Sequence, residues 1–116
     1  SALVKDIHVV GDSIQVAPGM PKSGHMANQQ AKVTAAAIVC ELHDLDINPH
    51  PVVTNTCYSF VNANDVVHVA SVHQYVADEA TFRTVPGSGG LSPEPSALEG
   101  QYAWGWARII WHDTVG

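Results

Sequence analysis

The sequence predicts an α+β fold: a helical segment near the amino terminus, a small antiparallel sheet in the middle and a second helical segment at the end. Three observations carry this. Residues 24–42 hold no proline and are apolar on nearly every side. Residues 52–61 (VVTNTCYSFV) and 66–76 (VVHVASVHQYV) are β-branched and aromatic runs joined by Asn62-Ala63-Asn64-Asp65, the pattern of a hairpin. Residues 96–99 (SALE) carry the Ser-x-x-Glu signature that opens a helix.

Taken in order, residues 3–10 (LVKDIHVV) read as a short strand that ends at Gly11-Asp12, where glycine permits a turn. A loop follows through Pro18, Gly19 and Pro21. Ser23 is an N-cap, and the helix after it runs to about Leu42, with Val33, Ala37 and Cys40 on one side and Ala35, Ile38 and Leu42 on another. Two apolar faces call for cover on both. Residues 43–51 (HDLDINPHP) form a loop, because a residue before proline is pushed out of the helical region. After the hairpin, residues 81–85 (TFRTV) are a third strand beyond a turn at 77–79, and 86–95 (PGSGGLSPEP) are a flexible loop. On the last helix Leu98, Tyr102, Trp106 and Ile109 recur at helical spacing as one apolar stripe.

The chain has 116 residues, one domain's worth, and 46% of them are hydrophobic, enough for a core. Its charged fraction of 14% is low against a usual ~25%, so much surface is expected to face protein. A net charge of -6 with five Lys plus Arg excludes a nucleic-acid partner, which needs clustered cations. No apolar run of membrane-spanning length and no signal-peptide pattern is visible, as expected of a mature or cleaved product. Cys40 and Cys57 lack metal-type spacing and are too few for a disulfide scaffold.

The opening stretch has a chemical reading. A strand ending in Gly11-Asp12 offers a carboxylate to sugar hydroxyls, and the helix after Lys22-Ser23-Gly24 presents free N–H groups and a positive dipole end. The guest that suits such an end carries partial negative charge, as a reduced flavin ring or the FAD pyrophosphate does. No Gly-x-Gly-x-x-Gly occurs, so the adenine half of a dinucleotide needs another segment.

Four blocks, HVVGD, MPKSGHMANQQAKVTAAAIV, NTCYSF and YAWGWARII, resemble in this order the carboxyl-terminal part of the flavoprotein subunit of flavocytochrome c sulfide dehydrogenase. The resemblance implies a glutathione-reductase-like flavoprotein. Residues 1–45 would then be the end of its FAD-binding domain, and residues 46–116 a carboxyl-terminal flavin-binding and interface domain. The chain would be part of a larger flavoprotein, inactive by itself. Gly11 and Asp12 are similar to the pair that receives the ribityl hydroxyls, and Lys22, Ser23, Gly24, His25 and Met26 to the helix end facing FAD. Cys57 resembles the family cysteine of a redox-active disulfide, its partner cysteine lying outside this chain, and Trp106 the aromatic residue beside it. Cys40 is assigned to core packing. Ser13, where alanine is usual, and His25, where an aromatic residue is usual, depart from the pattern. The implied activity is sulfide oxidation in the periplasm, with electrons passing to haem c on a cytochrome subunit, since no CxxCH occurs here.

Two other classes compete. Seven histidines, two cysteines and two methionines are suitable ligands for a metal such as copper. However, no two histidines form an HxH pair or a helical i, i+4 pair, and His68 and His73, five apart on one strand, face opposite ways. A non-catalytic interaction module is the third class.

Overall fold

In the computed structural model of the protein, residues 4–116 are described. They form a four-stranded antiparallel sheet with a helix against each face. The elements are α1 (Gly24–Leu42), β1 (Val52–Phe60), β2 (Val66–Val76), β3 (Thr81–Thr84), β4 (Gly90–Leu91) and α2 (Ala97–Val115).

The expected first strand does not form. Leu3 lies outside the described residues, and residues 4–10 are bend, turn and irregular chain, with no strand paired to them among the described residues. A strand is defined by its neighbour, and the sheet of this chain is built wholly from residues 52–91. Gly11–Ser13 make one 3-10 turn, which Gly11 permits by its φ of 75°.

The hairpin has the expected strands in register from Val52↔Gln74 to Phe60↔Val66. This register sorts the side chains. Val53, Asn55 and Cys57 share one face with His73, Tyr75 and Phe82, while Tyr58 and Phe60 share the other with Val66 and His68. α1 covers part of the first face, where Met20, Met26 and Val53 form the core with Val33 and Phe82 against them. α2 covers the second face.

Residues 86–95 are more ordered than a flexible loop. The second edge of β2 runs beyond β3, and this segment takes up its open polar groups. Val72 N–H donates to Ser88 Oγ at 3.1 Å, β4 pairs with Val69 and Ala70, and His68 N–H donates to Ser92 Oγ at 2.7 Å. Val66 and Ser96 then exchange two backbone bonds of 3.1 Å.

The face of α2 that packs is also not the expected stripe. Leu98, Tyr102 and Ile109 are exposed, and Gly100 and Ala103 are buried. Small residues win because the helix approaches the hairpin turn closely: a Cβ on Gly100 would lie 2.2 Å from Asn64 O. Likewise, α1 is covered on one side only within the chain, with Val39 and Leu42 exposed. It ends where Asp44 turns left-handed and Leu45 N–H returns to Cys40 O at 2.9 Å.

Candidate functional site

The predicted site residues gather around the first turns of α1. Ser23 is the N-cap: its Oγ accepts from Met26 N–H at 3.0 Å and donates to Asn55 Oδ1 at 2.5 Å. Asn55, 3% exposed, stands two residues before Cys57 and on the same face of β1. Its amide nitrogen lies 3.4 Å and its oxygen 3.6 Å from Cys57 Sγ. A continuous line of bonds thus joins the helix start to the thiol.

His25 reaches the open edge of β1, where its Nδ1 accepts from Thr56 N–H at 2.9 Å. Burial pulls this ring below its ordinary value of 6.5, with the Lys32 charge acting the same way. Its far side meets Trp106 edge-on at 5.6 Å, and Trp106 meets Tyr58 at 5.8 Å. Cys57 and Trp106 therefore both attach to the α1 start, one through Asn55 and Ser23, the other through His25.

Gly11 and Asp12 are tied to the same helix. Gly11 N–H donates to Gln30 Oε1 at 2.7 Å, and Lys22 Nζ donates to Asp12 O at 3.1 Å, which leaves the Asp12 carboxylate exposed. Met26 is the exception among the candidates, since its side chain is in the core and its N–H is taken by the cap. Only its backbone borders the helix end. The Gly24 and His25 N–H groups have no partner among the described residues.

Cys40 is not in a closed core. It lines an open apolar groove of about 240 Å³ between α1 and the chain entering β1, with Val33, Ala37, Ile47, Pro51 and Val52. Both thiols are free and sit on different elements. As for metal, no three His, Cys, Asp or Glu side chains converge among the described residues.

Sequence reasoning passed over Asn55, Gln30 and Tyr58. Asn55 had a signal, because residues two apart on a strand share a face. It also passed over a second polar cluster. Glu99 was expected to complete a capping box, yet only half of the box forms: Glu99 N–H donates to Ser96 Oγ at 3.2 Å. The Glu99 carboxylate turns instead to Ser92 Oγ at 2.6 Å and His68 Nδ1 at 3.1 Å, and these bonds hold it below the usual carboxylate range. The Ser96 N–H it would have bonded is already given to Val66 O.

The family model for flavocytochrome c sulphide dehydrogenase, flavin-binding, matches residues 49–115, which include all four strands and the whole of α2. The chain belongs to this family. The family is one of FAD-dependent flavoprotein oxidoreductases. Cys57 and Trp106 lie within the matched stretch, and Gly11 to Met26 lie before it. None of the described helices is long and apolar enough to cross a membrane.

The residues present fit a flavin of this family. Among the described residues, Trp106 Nε1–H is buried without a partner, two N–H groups at the α1 start have none, and Asp12 is exposed. Such donors suit electron-rich ring atoms or phosphate, and the carboxylate suits hydroxyls.

Proposed function

We propose that the chain is the carboxyl-terminal part of a periplasmic sulfide dehydrogenase, in which Cys57 is one half of a redox-active disulfide. Residues 1–45 close the FAD-binding domain and residues 46–116 form the interface domain. The observation that carries this reading is the placement of Cys57: a half-buried thiol within the family match, bonded through Asn55 and Ser23 to a helix start that suits a flavin.

In this reading the partner cysteine lies on the remainder of the flavoprotein. Hydrosulfide attacks one sulfur of the disulfide, a new sulfur–sulfur bond forms to sulfide, and the bond between the cysteines breaks. One cysteine then carries the persulfide, and the other leaves as thiolate with the electron pair. FAD, when bound, supplies two-electron acceptance followed by one-electron release to haem c on a cytochrome subunit. Gly24 and His25 offer N–H groups to the cofactor, Asp12 accepts from its hydroxyls, and Lys22 braces the Asp12 turn. Trp106, on the sheet face opposite Cys57, packs on His25 and Tyr58 and holds the His25 end of the helix start.

In the complete flavoprotein, Cys57→Ser removes sulfide-dependent cytochrome reduction and leaves flavin absorbance intact, because serine can neither form the disulfide nor carry a persulfide. Turnover that survives this substitution overturns the reading.

A further inference from the structure

We propose that Asn55 is a positioning residue for Cys57, holding the sulfur in one place whether it is thiol or thiolate. The proposal rests on the reading of Cys57 as the reacting sulfur. Both ends of the Asn55 amide lie at the sulfur, Nδ2 at 3.4 Å and Oδ1 at 3.6 Å. An S–H donates to the amide oxygen, and a thiolate accepts from the amide N–H. One side chain therefore serves the sulfur in both its thiol and its thiolate form.

An amide does this only if it cannot swing away, and Ser23 supplies the restraint. The Ser23 hydroxyl has one proton. It gives that proton to Asn55 Oδ1 and takes the Met26 N–H of the helix start in return. Rotating the Asn55 amide would break its bond from the Ser23 hydroxyl, and the Asn55 side chain is buried at 3% exposure, where a lost partner is not replaced by water. Across the sheet, the same-face neighbour of Asn55 is Ser71, whose hydroxyl is engaged with His73 Nε2 at 2.9 Å. The Asn55 amide is thus directed between Ser23 and Cys57. A strand position that faces the core would ordinarily carry an apolar residue, as Val53 does two places earlier.

The test measures the rate at which iodoacetamide labels Cys57 in the reduced, complete flavoprotein, with Cys40 read from the same peptide digest as an internal control. Asn55→Leu keeps the size but loses the N–H donor and the acceptor, and adds no charge beside the sulfur. Labelling of Cys57 is expected to fall about tenfold near pH 7, the scale of one hydrogen bond to a charged group. The loss is expected to shrink near pH 9.5, where thiols ionise without help. Ser23→Ala, which frees the amide, gives a smaller loss in the same direction. Cys57 rates within about twofold of wild type near pH 7 in both variants overturn the proposal. So does a loss of equal size at both pH values, which is what altered access would produce. Sulfide turnover that survives Cys57→Ser removes the sulfide reading, and the labelling contrast then still reports whether Asn55 governs this thiol.

Discussion

A histidine that accepts a hydrogen bond through Nδ1 has to keep that nitrogen unprotonated, and His25 does so at the edge of β1. His73 is more constrained still: fully buried, it lies between Ser71 Oγ at 2.9 Å and Thr84 Oγ1 at 3.3 Å, and burial lowers its affinity for a proton. For both rings the folded value lies below the unfolded 6.5, so the unfolded chain binds more protons as pH falls. Their stability contribution is complete above about pH 7 and is lost as pH drops through 6.5 towards the lowered values. Glu99, also lowered but from 4.5, acts only in a more acid window. Urea midpoints of the chain should therefore fall between pH 7.5 and 5.5, and less so in His73→Gln. A midpoint flat over that interval contradicts this account.

At the scale of elements, α2 is held by a close approach rather than by its large side chains. Gly100 lets the helix backbone meet Asn64 O, and Phe60 and Trp104 pack beside that point with ring centres 5.9 Å apart. Gly100→Ala should cost about 1–3 kcal/mol, because the new methyl meets backbone that has to move. Gly105→Ala, on the same helix with nothing within 4 Å of the new methyl, should gain about 0.5–1 kcal/mol from helix propensity. Paired urea titrations of the two variants check both signs. Equal effects would mean that the turn yields freely to α2. The strong local signals were legible here: Ser23 and Ser96 cap the helices as their sequence pattern requires. A cap bonds within three residues, so sequence alone specifies it. The packing face of α2 depends on a turn more than thirty residues away, and no spacing along the helix encodes that.

At the scale of the molecule, the balance of surface is unusual. Among the described residues five hydrophobic side chains are buried, in a chain that is 46% hydrophobic, and Leu42, Leu45, Ile47, Leu91, Ile109 and Trp111 stand among the exposed ones. Leu91 and Val69 flank Cys57 on the uncovered part of its sheet face. Patches of this kind bind other surfaces. Expressed by itself, the chain of residues 1–116 should bind a hydrophobic dye and lose FAD on dialysis, since it offers the Asp12 side of a flavin site without a pyrophosphate fingerprint. Tight, stoichiometric FAD retention by the chain alone would contradict this.

The sequence by itself determined the α+β class, the two helices with their caps, the hairpin of two strands, and the opposite facing of His68 and His73. All of these follow from local bonding or from the period-two alternation of strands. Motif blocks in the sequence also pointed to the family that the match over residues 49–115 shows. Only the tertiary structure decided the rest. It denied residues 4–10 a strand, because no strand pairs with them among the described residues, and it ordered residues 86–95, because the edge of β2 had donors to fill. It also brought Ser23, thirty-two residues from Asn55, into the bond that links the start of α1 to Cys57. Contacts between distant segments depend on which backbones pass close together, and that is settled by the packing of the whole chain.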